Sequence, residues 1–286
     1  MSMGTFVEGT DIGSAWLAAY TALHPDGELV NLAVTITDPL REDLGVRRAI
    51  EERLVRAGVH GSQSMHTVAN TIFPVGLYRP ETHDAAARFM ANVARGQSVR
   101  RSPKARWGTY IGRLTAYPSR DGGITNQLDL ALRRLNRTPH FDDAYEIPVA
   151  VPGEDDGPSS ADLHLHGDIR VDGRTRGGPC LAHISLTAAH RRLSMVALYR
   201  RHAYETRAYG NFLGLARLLN FLAQESGHDV GELMVVTGHA VADLRRTDGA
   251  TLLHDASAGA GQTAPIETSA RPLGATYADL QLPDLS

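Results

Sequence analysis

Of 286 residues only one is a cysteine, two are tryptophans, and aromatic side chains make up 6%. A single thiol excludes an internal disulfide. A dominant charge is missing too: 29 Lys and Arg stand against 32 Asp and Glu, a formal net charge of −3. No overall field therefore draws the chain to nucleic acid or to an anionic membrane. No apolar run approaches the ~20 residues needed to span a bilayer. The opening Met1-Ser2-Met3-Gly4-Thr5-Phe6 has neither a basic n-region nor an apolar h-region. The expectation is a soluble cytoplasmic protein with no membrane or nucleic-acid partner. With 42% hydrophobic residues the chain can bury a substantial core, and its length fits one domain over 1–286.

Periodicity and turn residues organise what is present. Residues 29–37 read as a strand closed by Asp38-Pro39. Val46, Ile50 and Leu54, four apart and followed by Gly58, predict an amphipathic helix over 46–57. A second helix is expected over 84–95, with Thr82 or His83 near its start and Gly96 past its end. The basic stretch Arg100–Arg106 reads as a solvated loop. A third helix, 124–136, carries Leu128, Leu132 and Leu135 on one face and stops before Pro139. Strands are expected at 145–151, 180–187 and 193–199. Between them fall an acidic surface loop at 153–160 and a hairpin over 162–177 turning at Asp172-Gly173. A helix over 211–225 has Phe212, Leu215, Leu219 and Leu222 as its buried stripe and Gly227 behind it. From about 247 to 286 the Ala-, Gly-, Ser-, Thr- and Pro-rich composition predicts a loose tail, in which Leu280 and Leu282 are the residues able to dock. Strands outnumber long helices, which gives a mixed α+β class.

The lone Cys180 follows Gly177-Gly178-Pro179 at the head of a strand, with Tyr199-Arg200-Arg201 and Asn211 downstream. A thiol beside an arginine and a side-chain amide can add to a polarised ring and hold that ring in register. The competing reading of a lone strand cysteine is a small buried hydrophobe. As a nucleophile Cys180 needs a pKa below the usual ~8.5, and Arg201 is the cation expected to lower it. His164-x-His166 puts two imidazoles on one strand face with no accompanying Asp or Cys ligands, so no metal is expected.

Two blocks resemble thymidylate synthases and the related pyrimidine hydroxymethylases. In the first, Pro179-Cys180, Leu193-Ser194, Leu198-Tyr199-x-Arg201, Asn211, Leu218-Leu219, Ala223-Gln224 and Gly231-Glu232-Leu233 follow the family's order. In the second, Tyr110, Ala116-Tyr117-Pro118 and Ile124-x-x-Gln127-Leu128 do so. Together they span about a third of the chain; residues 1–100 show almost nothing comparable. The resemblance implies a curved mixed β-sheet flanked by helices, a homodimer, and a cysteine thiolate that adds to C6 of a pyrimidine or pyrimidine-like ring. C5 then takes up a methyl or hydroxymethyl group from 5,10-methylenetetrahydrofolate. It assigns Cys180 as nucleophile, Tyr110 to the proton network and Glu52, in Arg47-Arg48-Ala49-Ile50-Glu51-Glu52, as general base. Arg201 is assigned to phosphate and Asn211 to the ring edge. His202 and Glu205, standing where the family keeps a serine and a substrate-contacting aspartate, are assigned to substrate.

The departures point to a specialised enzyme. Asp142-Asp143 replace the paired arginines that reach a neighbouring subunit's phosphate, and Leu181 replaces the histidine after the cysteine. Against the family's spacing one residue is deleted between Arg201 and Asn211, and the folate-lining tryptophans have no counterpart between Gly96 and Val99. A non-phosphorylated, non-nucleotide substrate used without folate, or a non-catalytic small-molecule-binding descendant, are the alternatives.

Overall fold

The computed structural model describes residues 4–59, 64–99, 108–118, 123–137, 145–150 and 179–270. The expected basic loop, the Asp142-Asp143 pair, the acidic loop, the 162–177 hairpin with His164 and His166, and Leu280 and Leu282 lie outside the described residues.

A six-stranded sheet is built from β1 (Thr5–Gly9), β2 (Glu28–Ile36), β6 (Tyr145–Pro148), β7 (Leu181–Ala189), β8 (Arg192–Ala203) and β9 (Asp229–Val241), in the order β1-β2-β9-β8-β7-β6. The β1–β2 and β8–β9 pairs are parallel; β2–β9, β7–β8 and β6–β7 are antiparallel. Two small ladders flank it: β3 (Arg41–Asp43) with β10 (Thr263–Pro265), and β4 (Tyr117–Pro118) with β5 (Ile124–Thr125). The α+β class is therefore present.

Helices cover one face. They are α1 (Ile12–Leu23), α2 (Leu44–Arg56), α3 (Met65–Asn70), α4 (Ala85–Val99), α5 (Tyr110–Thr115), α6 (Gln127–Leu135), α7 (Tyr209–Ser226) and α8 (Arg246–Gly259). Asp11, Asp43 and Asn126 accept backbone N–H groups at the starts of α1, α2 and α6, satisfying donors a helix leaves open. Gly58 and Gly227 follow α2 and α7 at φ +65° and +69°, the left-handed conformation in which glycine ends a helix at least cost.

The central helix α7 is buried on every side from Tyr209 to Ala223, not along a stripe alone. Helix α4 runs through Gly96 to Val99, since Ala85, Phe89 and Val93 continue one buried line and an interior glycine costs only about 1 kcal/mol. Ile124 and Thr125 are strand, because Asn126 caps α6 and starts it later than expected. The expected loose tail is also corrected. Residues 246–259 form α8, which buries Leu252 and Ala256, and the chain then pairs with β3 and docks through Ile266 N–H to Leu40 O and Ala270 N–H to Tyr78 O.

A band of irregularity crosses the sheet where the site forms. Asn31 of β2 has φ +58°, and Ala182 of β7 is an extra residue between the pairs Leu181–Tyr199 and His183–Leu198. On β8 the buried positions run 193, 195, 197, 199 and then jump to 202; on β9 they jump from 237 to 240. Bulges bend a strand and re-aim its side chains, which here turns His202 into the core beside the start of α7.

Candidate active site

Cys180 lies one residue before β7 and is half-buried. Its carbonyl accepts the Arg200 N–H at 2.9 Å, which fixes it across from β8. The Tyr110 hydroxyl, from the first turn of α5, accepts the N–H of Cys180 at 3.2 Å and of Leu181 at 3.4 Å. Segments 70 residues apart in sequence thus meet at the thiol. Burial, and then the neighbouring thiol's charge, push the Tyr110 phenol up to about 12, so the hydroxyl keeps its proton near neutrality.

The thiol departs from expectation. Burial pushes its pKa up, and that effect exceeds the opposing pull of Arg200, Arg201, the Arg200 hydrogen bond and Arg207. Desolvation disfavours the anion more than the guanidinium groups, all solvent-exposed, can favour it. Near neutrality Cys180 is a neutral thiol.

The leading cation is Arg200, not Arg201. Arg201 stands in a cross-strand row with His239 and Val30, whose side chains are half-buried or exposed. Arg207 had no sequence signal and is brought in by the π-helical turn Tyr204–Ala208.

Asn211 is buried near the start of α7, its Nδ2 2.9 Å from Nε2 of His202. His202 itself is 1% exposed. Its ring stacks on Tyr199 with centroids 4.2 Å apart and planes 4° apart. Tyr204 and Phe212 pack edge-on against it, and its Nδ1 lies 3.5 Å from Thr237 Oγ1. Burial pulls its pKa down to about 3. His202 is therefore a neutral support behind Asn211 and not a direct substrate contact.

Glu205 and Glu52 are corrected as well. Glu205 is fully buried, accepting the Tyr20 hydroxyl at 2.8 Å and the Asp243 N–H at 2.6 Å. Burial first, then hydrogen bonding to and the charge of Asp243, push its carboxyl up to about 8. It closes the turn into α7 from beneath and has no surface to offer a ligand. Glu52 is exposed on α2 and pairs with Arg56 at 3.2 Å, one helical turn on, as solvated helix residues do. Its neighbour Glu51 instead accepts the Met65 N–H at 3.0 Å.

The described rings that contact Cys180, Asn211 or His202, namely Tyr110, Tyr199, Tyr204 and Phe212, are all buried. They leave no open aromatic face for a pterin, so these residues do not form a folate slot. Among the described residues no His, Cys, Asp and Glu grouping suits a metal, and no helix is long and apolar enough to cross a membrane. No protein-family model and no curated protein matches the chain.

Proposed function

We propose that this chain is a thymidylate-synthase-like transferase in which Cys180 adds to C6 of a pyrimidine or pyrimidine-like ring. The observation that carries the reading is the convergence of Tyr110, Cys180 and Arg200 at one point, with Asn211 tied to His202 two positions further along β8.

The thiol first gives up its proton. The thiolate then adds to C6, and the C5–C6 π pair moves onto C5, which becomes nucleophilic and attacks a one-carbon electrophile. Loss of the C5 proton with expulsion of the thiolate restores the ring. Arg200 stabilises the thiolate by charge and hydrogen bond. Asn211 supplies donor and acceptor to the ring edge. 5,10-Methylenetetrahydrofolate is the donor implied by the resemblance, and no step is derived through it. Arg201 and Arg207 add to the positive field at the thiol, which suits a nucleoside monophosphate better than the missing arginine pair suggested.

A homodimer is part of this proposal. On the sheet face opposite the helices, Phe6, Ala33, Val236 and Leu198 form one cross-strand row. Phe6 is 61% and Leu198 43% exposed, with Val196 at 41% nearby. An apolar row of this kind is an association surface.

Intact-protein mass spectrometry tests the chemistry. The protein is incubated with 5-fluoro-deoxyuridine monophosphate, its nucleoside or the free base, each with and without methylenetetrahydrofolate. A Cys180-dependent adduct is expected, absent in Cys180→Ser, and the arm that gives it identifies ligand class and donor. No adduct in any arm, with no ligand protection of the thiol from alkylation, would instead assign a non-catalytic small-molecule-binding descendant.

A further inference from the structure

We infer that His202 is a positioning residue that sets ring-edge specificity by holding the Asn211 amide in one orientation. This rests on the proposed reading of the site and concerns which class of pyrimidine it takes.

A side-chain amide has a donor end and an acceptor end, and turning it by 180° exchanges them. A 4-oxo pyrimidine presents a carbonyl beside a ring N–H; a 4-amino pyrimidine presents an amino group beside a ring nitrogen acceptor. The two edges are mirror images in donor and acceptor order. An asparagine free to turn reads both, whereas one that is pinned reads one.

The structure pins it. The Asn211 amide nitrogen faces His202 Nε2 at 2.9 Å, and Asn211 Oδ1 accepts from no described residue. His202 cannot swing away, because Tyr199 covers one ring face at 4.2 Å while Tyr204 and Phe212 pack edge-on. A neutral imidazole has one acceptor nitrogen and one N–H. With the Asn211 amide nitrogen facing it at 2.9 Å, Nε2 is the acceptor, so Nδ1 carries the proton toward Thr237 Oγ1, 3.5 Å away. Turning the amide sets Oδ1 against the Nε2 lone pair inside the core unless the imidazole proton moves to Nε2 and the Thr237 hydroxyl becomes a donor at the same time, so the amide's orientation is coupled to His202 and Thr237.

The test compares 2′-deoxyuridine with 2′-deoxycytidine, both with and without the 5′-phosphate, read as protection of Cys180 from iodoacetamide and as Kd by calorimetry. Wild type should prefer one ring type by roughly 10-fold or more, the size expected for one mismatched buried hydrogen-bond pair. His202→Phe keeps the stacked ring and removes the nitrogen; its preference should fall to within about 3-fold, with both ligands still bound. Thr237→Val leaves His202 in place without its Nδ1 partner and should lower the ratio part of the way, which covers the case in which His202→Phe does not fold. Asn211→Ala should lose affinity for both rings. If wild type protects Cys180 with a clear preference that survives both His202→Phe and Thr237→Val, the positioning role is wrong while the site stands. If no pyrimidine protects wild-type Cys180, the site reading fails and this inference fails with it.

Discussion

Two arginine clusters in this molecule use the same side chains to opposite ends. Around the fully buried Arg217 of α7, Nε donates to Glu267 O at 2.9 Å, one terminal nitrogen reaches His66 Nδ1 at 2.9 Å and the other reaches Asn70 Oδ1 at 3.4 Å. Arg47 pairs with Glu42 at 2.8 Å, and Tyr209 donates to the same carboxylate at 3.1 Å. Two guanidinium groups meet two carboxylates there, so the charges cancel. Around Cys180, by contrast, Arg200, Arg201 and Arg207 are exposed to solvent, and Arg201 has no hydrogen bond or ion pair among the described residues. Burial with complete pairing makes an arginine a structural part; at Cys180 the exposed guanidinium groups instead act by charge on a half-buried thiol.

The largest expected effect breaks the first cluster. Arg217→Leu should cost about 3–5 kcal/mol in urea unfolding, because it removes the fully buried guanidinium from Glu267 O, His66 Nδ1 and Asn70 Oδ1 and leaves those groups unpaired. The iodoacetamide reactivity of Cys180 in the native fraction should not change. A loss below about 1 kcal/mol would show that the paired cluster holds nothing together.

A second prediction sets two buried titratable groups against each other. His202 falls from the ordinary 6.5 to about 3, so its contribution is complete above pH 6.5 and is lost as pH drops toward 3. Glu205 rises from 4.5 to about 8, so its contribution is complete below pH 4.5 and is lost as pH climbs toward 8. Stability should therefore peak between about pH 5 and 6. Glu205→Gln keeps an acceptor for the Asp243 N–H and stays neutral, so it should flatten the alkaline limb, gaining about 2 kcal/mol over wild type at pH 8. Equal destabilisation of the variant at pH 5 and pH 8 would mean that Glu205 is ionised in the fold.

The site's backbone was more legible in the sequence than its electrostatics. Alternation and spacing placed β2, β7, β8 and α7 within a few residues, since hydrophobic period is set by the same face that becomes buried. Helix α1 and strands β1 and β9 went unassigned. In α1, Ile12, Trp16, Tyr20 and Leu23 recur at helical spacing and are all buried, so this helix does have a signature in the sequence. Glu205 and Glu52 exchanged environments relative to expectation because depth is a tertiary property: one carboxylate follows a π-helical turn into the core, the other faces water. The thiol's raised pKa was equally hidden, since spacing reveals neighbours but not desolvation.

The smallest effect separates Arg200 from Arg201, adjacent residues that the sequence treats alike. Arg200 acts on Cys180 more strongly by charge and adds a hydrogen bond to the thiol; Arg201 acts by charge alone from the row it shares with His239 and Val30. Removing Arg200 should therefore raise the thiol pKa further and slow iodoacetamide modification at neutral pH by roughly 3- to 10-fold. Arg201→Ala should slow it by no more than about 2-fold, the size of a screened surface interaction. Both variants should approach the wild-type rate at alkaline pH, where the thiolate no longer needs a cation to form. Added salt should narrow the gap for Arg201 more than for Arg200, because a hydrogen-bonded contact is screened less than a remote one. The reverse order, with Arg201→Ala the slower, would make Arg201 the leading cation at the thiol.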